Sequence, residues 1–190
     1  MLPTDQSPIW IMRIVAHAFL LFMLAPFNGP QTSSVDKAIS STEQAAIRSA
    51  YTFMADAFEQ HHPERMRRFL APEFIETRQG SATARTREQF LQEIAEECKH
   101  ARAPIHVRFE LGPFKLVGSD ILVDVDEDTT YQVLGKDRRI HDIEYRQRSH
   151  DRWIRQSRSW KCVRESDELP YLIRADNHDV TLNELAKLLP

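Results

Sequence analysis

The sequence predicts an α+β domain in which a curved antiparallel sheet packs against three N-terminal helices. Two observations carry that expectation. Between Ile121 and Glu165 three long stretches alternate apolar and polar residues with a period of two, as half-buried strands do. Between Ser40 and Cys98 apolar residues recur instead at three- and four-residue spacing, behind helix cap signals. A chain of 190 residues, 42% of them hydrophobic, can bury one substantial core, so one domain with appendages is expected. The 25 Lys and Arg nearly balance the 28 Asp and Glu, and charges of both signs are interspersed. No long-range field for nucleic acid follows from such a balance.

The N-terminus reads as a separate piece over residues 1–34. Arg13 precedes an apolar run from Ile14 to Phe27, too short to span a bilayer comfortably, and polar NGPQTSS follows. This is the layout of a secretory signal, and Met12 opens a more typical one than Met1. No A-x-A site is present; Thr32 and Ser34 are the best small pair before Val35. Cleavage and retention as a membrane anchor both stay open. The mature domain is expected to be secreted or periplasmic, touching the membrane only if the segment is kept. In an oxidising compartment Cys98 and Cys162 either join helix to sheet as a disulfide or stay as two buried thiols.

In the helical half, Ser40 and Glu43 form a capping box, and Ile47, Tyr51, Met54 and Phe58 then line one apolar face. Pro63 suits the first turn of a short helix through Met66, Phe69 and Leu70, closed by Pro72. Phe74 to Gly80 is a short extended segment. Thr86 with Gln89 caps a third helix whose stripe is Phe90, Leu91, Ile94, Ala95 and Cys98, and Pro104 ends it.

The sheet half begins with Ile105, Val107, Phe109 and Leu111, alternating with His106, Arg108 and Glu110. Gly112–Pro113 predicts a bulge or bend, and the Gly118–Ser119–Asp120 turn leads into the next strand. Along that strand the even positions carry Asp124, Asp126 and Asp128; along the following one they carry Asp142, Glu144, Arg146, Arg148 and Arg152. A tight turn at Gly135–Asp137 sets Asp126 near Arg146 and Asp124 near Arg148, on a face that meets water or a partner. The odd, inward face holds Glu127, Tyr131, His141 and Tyr145 among apolar residues, with Tyr131 near His141 and Glu127 near Tyr145. Polar groups on a core face must be hydrogen-bonded or wet, so either a pocket or a satisfied buried network is required. Beyond Ser166, Thr181 and Glu184 cap a last short helix with Leu182, Leu185 and Leu189. It packs back on the domain, covers a pocket mouth, or contacts a second subunit.

The segments AAIRSAYTFMADAFEQHHPERMRRFLAPEF, Gly80 with TREQFLQEI, and RWIRQSRSWKCVRES resemble the nuclear transport factor 2-like superfamily. The likeness is to its SnoaL-like and ketosteroid-isomerase-like domains, and it covers Thr42 to Ser166. It implies a cone-shaped, cystatin-like layout over residues 35–167, with 168–190 as an extension. It also implies an apolar pocket under the helices, for a small apolar molecule, and a homodimer through the open sheet face. Isomerases of this group use a carboxylate base, a first-helix Tyr and a protonated Asp. The base position falls at Glu76. Matching LAPEF puts Met54 at the Tyr position, with Tyr51 one turn earlier, and no acid takes the third place.

Three functions compete on these residues. One is a ligand-binding or interaction module with a pocket formed by Tyr51, Met54, Phe58, Glu127, Tyr131, Tyr145 and Trp153. The second is a small acid–base enzyme, an isomerase, dehydratase or cyclase of an apolar carbonyl compound, using Glu76, His141 or a pocket Tyr. The third is an accessory domain whose sheet face binds protein. No cofactor or metal is expected: His61, His62, His106, His141 and His150 lack metal-ligand spacing, and no G-x-S-x-G, P-loop or G-x-G-x-x-G occurs.

Overall fold

The computed structural model describes residues 38–102 and 105–189. The expected signal segment, residues 1–34, and Pro104 lie outside them. All three capping boxes form. At the first, Ser40 Oγ accepts from Glu43 N–H at 3.2 Å while the Glu43 carboxylate accepts from Ser40 N–H at 3.0 Å. Helix α1 (Ser41–Glu59) follows and buries Ile47, Tyr51, Met54 and Phe58 on one face. His61 then turns the chain at φ 58°. The short helix from Pro63 is 3₁₀ and ends at Arg68, earlier than expected.

Leu70 already opens strand β1 (Leu70–Arg78), so Pro72 lies inside a strand and does not close a helix. The strand tolerates it because the ladder slips between Leu70 and Ile75, where a missing N–H costs nothing. A two-residue strand β2 (Arg85–Thr86) leads into α2 (Arg87–His100), which buries Leu91, Ile94 and Cys98. Four long strands follow: β3 (His106–Val117), β4 (Asp120–Leu134), β5 (Ile140–Gln156) and β6 (Ser159–Asp167). The register of β3 on β4 shifts between Leu111 and Phe114, the bulge foreseen at Gly112–Pro113.

The sheet runs β2-β1-β6-β5-β4-β3. Its β1–β6 pair is parallel, so it is mixed and not purely antiparallel. The C-terminal extension joins the same sheet. Strand β7 (Leu172–Ala175) pairs with β5 beyond the end of β6, and a turn at Asp176–Asn177, both at positive φ, returns β8 (His178–Asp179). Helix α3 (Leu182–Leu188) then packs back on its own domain.

Face assignment on β4 and β5 is as expected, but the register differs by two residues. Asp126 opposes Arg148, Asp128 opposes Arg146 and Asp124 opposes His150. The connection is longer than a tight turn: Gly135 N–H reaches Arg139 O at 2.8 Å, with Arg138 at φ 67°. On the inner face Tyr131 therefore opposes Ile143, Val133 opposes His141, and Glu127 opposes Gln147. Near the β5 C-terminus that face is dry, with Trp153, Phe74, Ile121 and Cys162 packed under α1 and α2. At the other end Leu185 of α3 covers Val133, Ile143, Ile173 and Ala175. Cys98 and Cys162 are both free and buried, not joined. Among the described residues no helix is long and apolar enough to cross a membrane.

Candidate functional site in the middle of the inner face

Between those two apolar ends the inner face turns polar. Strand register makes it so. Glu76 of β1 lies beside Glu165 of β6, which lies beside Asp151 of β5, a row of three carboxyls across adjacent strands. Asp167 pairs with Ser149 one step along, and Glu127 with Gln147. Neighbouring strands sit about 4.8 Å apart, so these acids crowd within roughly 10 Å.

Coverage of this stretch, the recess, is incomplete. Glu127, Tyr131, Tyr145 and Glu165 keep partial exposure there. Yet burial is the largest cause raising the pKa of each. Water reaches these side chains while protein surrounds them. Glu97 of α2 is exposed nearby, with Glu127, Arg78 and Arg85 as its charged neighbours.

Two arginines answer part of this charge. Arg78 Nε donates to Glu76 Oε1 at 2.9 Å and to Asp167 Oδ2 at 3.3 Å, and its Nη1 reaches Glu93 at 3.2 Å. Arg85 pairs with Glu76 and Glu93. The rest is handled by neutral donors. Thr129 donates to Glu127 at 2.6 Å, and Gln147 donates to its other oxygen at 3.2 Å. Burial and the nearby Asp167 push the Glu165 carboxyl well above the ordinary range. Two oxygens and one guanidinium nitrogen, Arg85 Nη2, are left over. Glu76 Oε2 and Asp167 Oδ1 are buried and have no hydrogen-bond partner.

At the edge of the recess stands a dyad. Tyr51 donates to Asp151 Oδ2 at 2.5 Å, Ser149 donates to Oδ1 at 2.8 Å, and Trp153 Nε1–H donates to the Tyr51 hydroxyl at 3.1 Å. Burial, opposed by these hydrogen bonds, lifts Asp151 to about 7. Tyr51 is pushed up by the same burial and stays neutral.

Of the residues expected at the site, Tyr51, Glu76, Glu127, Tyr131, Tyr145 and Trp153 meet in or beside this recess. Met54 and Phe58 belong to the apolar core under α1. His141 does not converge with Glu76. It lies ten residues along β5 from Asp151, about 33 Å away by strand rise, held by Asp137 at 3.0 Å and Asp176 at 2.8 Å. Glu76 and His141 therefore do not meet at one place on the sheet. Nor is the recess apolar, as the family likeness implied.

Sequence reading missed Asp151, Glu165, Asp167, Arg78, Arg85 and Glu97. One signal was present: Gln147, Ser149 and Asp151 occupy odd, inward positions between Tyr145 and Trp153. The β6 acids were hidden because the β5–β6 register shifts next to Trp153, which resets parity along β6. An outer groove of about 380 Å³, lined by Thr130, Gln132, Asp142, Glu144 and Arg174, is a weaker candidate. Its charges pair with one another, Gln132 with Asp142 at 2.7 Å and Arg174 with Glu144 at 3.2 Å.

No protein-family model matches the chain, and no curated protein matches its sequence. Solved structures do. A scytalone dehydratase-like protein from Novosphingobium aromaticivorans superposes with TM-score 0.61 at 14% identity, covering 72% of this chain and 89% of that one. A hexachlorocyclohexane dehydrochlorinase gives 0.58 at 11% identity, covering 70% and 88%. A dehydratase-like protein of the same fold family from Streptomyces avermitilis gives 0.50 at 14% identity, covering 67% and 95%. The fold is nuclear transport factor 2-like, as the sequence resemblance implied. At such identities the likeness speaks for the fold alone.

Proposed function

We propose that this domain binds a small polar molecule in the inner-face recess. The observation that carries the reading is the set of side chains, Glu127, Tyr131, Tyr145 and Glu165, that water touches although protein surrounds them. Two partnerless buried oxygens beside them support it, because such groups normally find a donor. Ligand-observed NMR with a set of small polar fragments tests the idea. Hits that vanish when Tyr145→Trp narrows the recess are expected; hits indifferent to that change place binding elsewhere and sink it.

A second reading, an acid–base enzyme of the isomerase or dehydratase kind, is favoured by Asp151. A carboxyl near pH 7 that is hydrogen-bonded to a neutral Tyr can accept and return a proton under physiological conditions. The Glu165–Asp167 pair offers a neighbouring proton store. If a bound carbonyl compound exchanges a carbon-bound proton with D₂O, Asp151→Asn should slow that exchange by roughly 10²-fold or more. Unchanged exchange removes Asp151 from the chemistry.

The same proposal keeps export and homodimerisation. Export is supported by Arg13 and the Ile14–Phe27 run, and retention of the intact chain in the cytosol would contradict it. A dimer through the outer sheet face is supported by its alternating Asp and Arg. Light scattering showing only monomer at micromolar concentration would overturn the dimer.

A further inference from the structure

We propose that the ligand of the recess is cationic, a small molecule whose ammonium group sits between Glu76 and Asp167. The inference rests on the binding site proposed above and adds the charge class. Three observations lead to it.

The first is geometric. One N–H of the chain, Arg78 Nε, contacts both Glu76 Oε1 and Asp167 Oδ2, so the two carboxyls face each other closely. Their other oxygens, Glu76 Oε2 and Asp167 Oδ1, accept nothing. Both residues are at least nine-tenths buried. An unpaired carboxylate oxygen in such a place is among the most costly polar groups a fold can hold. An ammonium carries three donors, enough to serve both oxygens and keep one for a neighbour.

The second is the charge count. Arg78 and Arg85 pair with Glu76, Glu93 and Asp167, although Arg85 Nη2 lies against Glu76 without a hydrogen bond. No ion pair joins Glu127, Asp151 or Glu165 to a basic side chain of the described chain, and Glu127 and Asp151 take neutral donors. An anionic ligand would enter a field already dominated by carboxyls. A neutral ligand would leave that imbalance in place.

The third is the state of those acids without a ligand. Burial lifts Glu127, Asp151, Glu165 and Asp167, the direction that favours their neutral forms. A bound cation favours the charged forms instead, and protons leave as it enters.

Isothermal titration calorimetry of the full chain tests the charge class with three probes of equal chain length. These are 1,4-diaminobutane, 1,4-butanediol and succinate. The diamine should bind at least tenfold more tightly than either partner, and should lose at least tenfold in Asp167→Asn and in Glu76→Gln. Asp126→Asn, on the outer face, should leave it unchanged. Far-UV circular dichroism confirms that each variant is folded; if Glu76→Gln is not, Asp167→Asn and the probe series on the unaltered chain still decide.

If the diol or succinate binds as well as the diamine and is blocked by Tyr145→Trp, the charge class is wrong while the binding site stands. If diamine binding ignores both Asp167→Asn and Tyr145→Trp, it is adventitious, and both proposals fall. Binding by none of the three overturns the cationic class, and the fragment screen then judges the site alone.

Discussion

Asp126, Glu127 and Asp128 are consecutive residues of one strand, and they live in two chemical worlds. On the outer face Asp126 meets Arg148 at 3.0 Å, Asp128 meets Arg146 at 3.2 Å, and Asp124 is held below the usual carboxylate range by His150 and Lys115. These groups are partly exposed and paired with basic side chains. On the inner face Glu127, with Asp151, Glu165 and Asp167 on neighbouring strands, is pushed upward by burial and answered mainly by neutral donors. The residue types are the same. Strand parity alone decides whether a carboxyl becomes a solvated charge or a proton carrier.

The contrast is open to direct attack. The largest effect should come from Glu76→Ala, which strips Arg78 and Arg85 of a buried partner. Loss of one member of a buried ion pair costs about 3–5 kcal/mol. Urea denaturation measures it, and a loss below about 1 kcal/mol would show that the inner acids behave like outer ones.

Next in size is a pH effect. An acid whose folded pKa lies above its unfolded value favours folding while protonated. The benefit of Asp151 is complete below about 4 and is lost as pH rises toward about 7. Within that window the unaltered chain should lose up to roughly 1.4 kcal/mol per pH unit from this group. Asp151→Asn should flatten the curve, and urea midpoints between pH 4.5 and 8 will show whether it does.

The smallest effect belongs to the outer ladder. Arg148→Ala should cost less than about 1 kcal/mol and shrink further in salt, since both partners are well exposed. A cost of several kcal/mol would mean that the outer face is covered, as a dimer interface would cover it.

Much of this was legible in advance because it is local. The three capping boxes each need only residues three apart, and all three are present. The faces of β4 and β5 follow from alternation, which survived a two-residue error in register because parity is unaffected by it. The hairpin of β7 and β8 was legible too, in the Asp176–Asn177 pair, but was passed over. The recess was not legible as a whole. It is assembled by pairings such as Glu76 with Glu165 and Asp151 with Glu165, whose partners are set by a parallel ladder and a register shift that no periodicity announces. The polar character of this stretch was hidden for a related reason: a shared backbone does not prescribe the side chains aimed into it.

The parallel pairing of β1 with β6 also has a consequence in time. The partner of Leu70 is Cys162, and the partner of Glu76 is Glu165. As the chain emerges from the ribosome, β1 must wait for some ninety residues with only the two-residue β2 beside it. The acids of β6 reach Glu76 in the same event that captures β1. Closing the sheet and bringing the inner acids together are therefore one late step, taken when nearly all of the domain has been made.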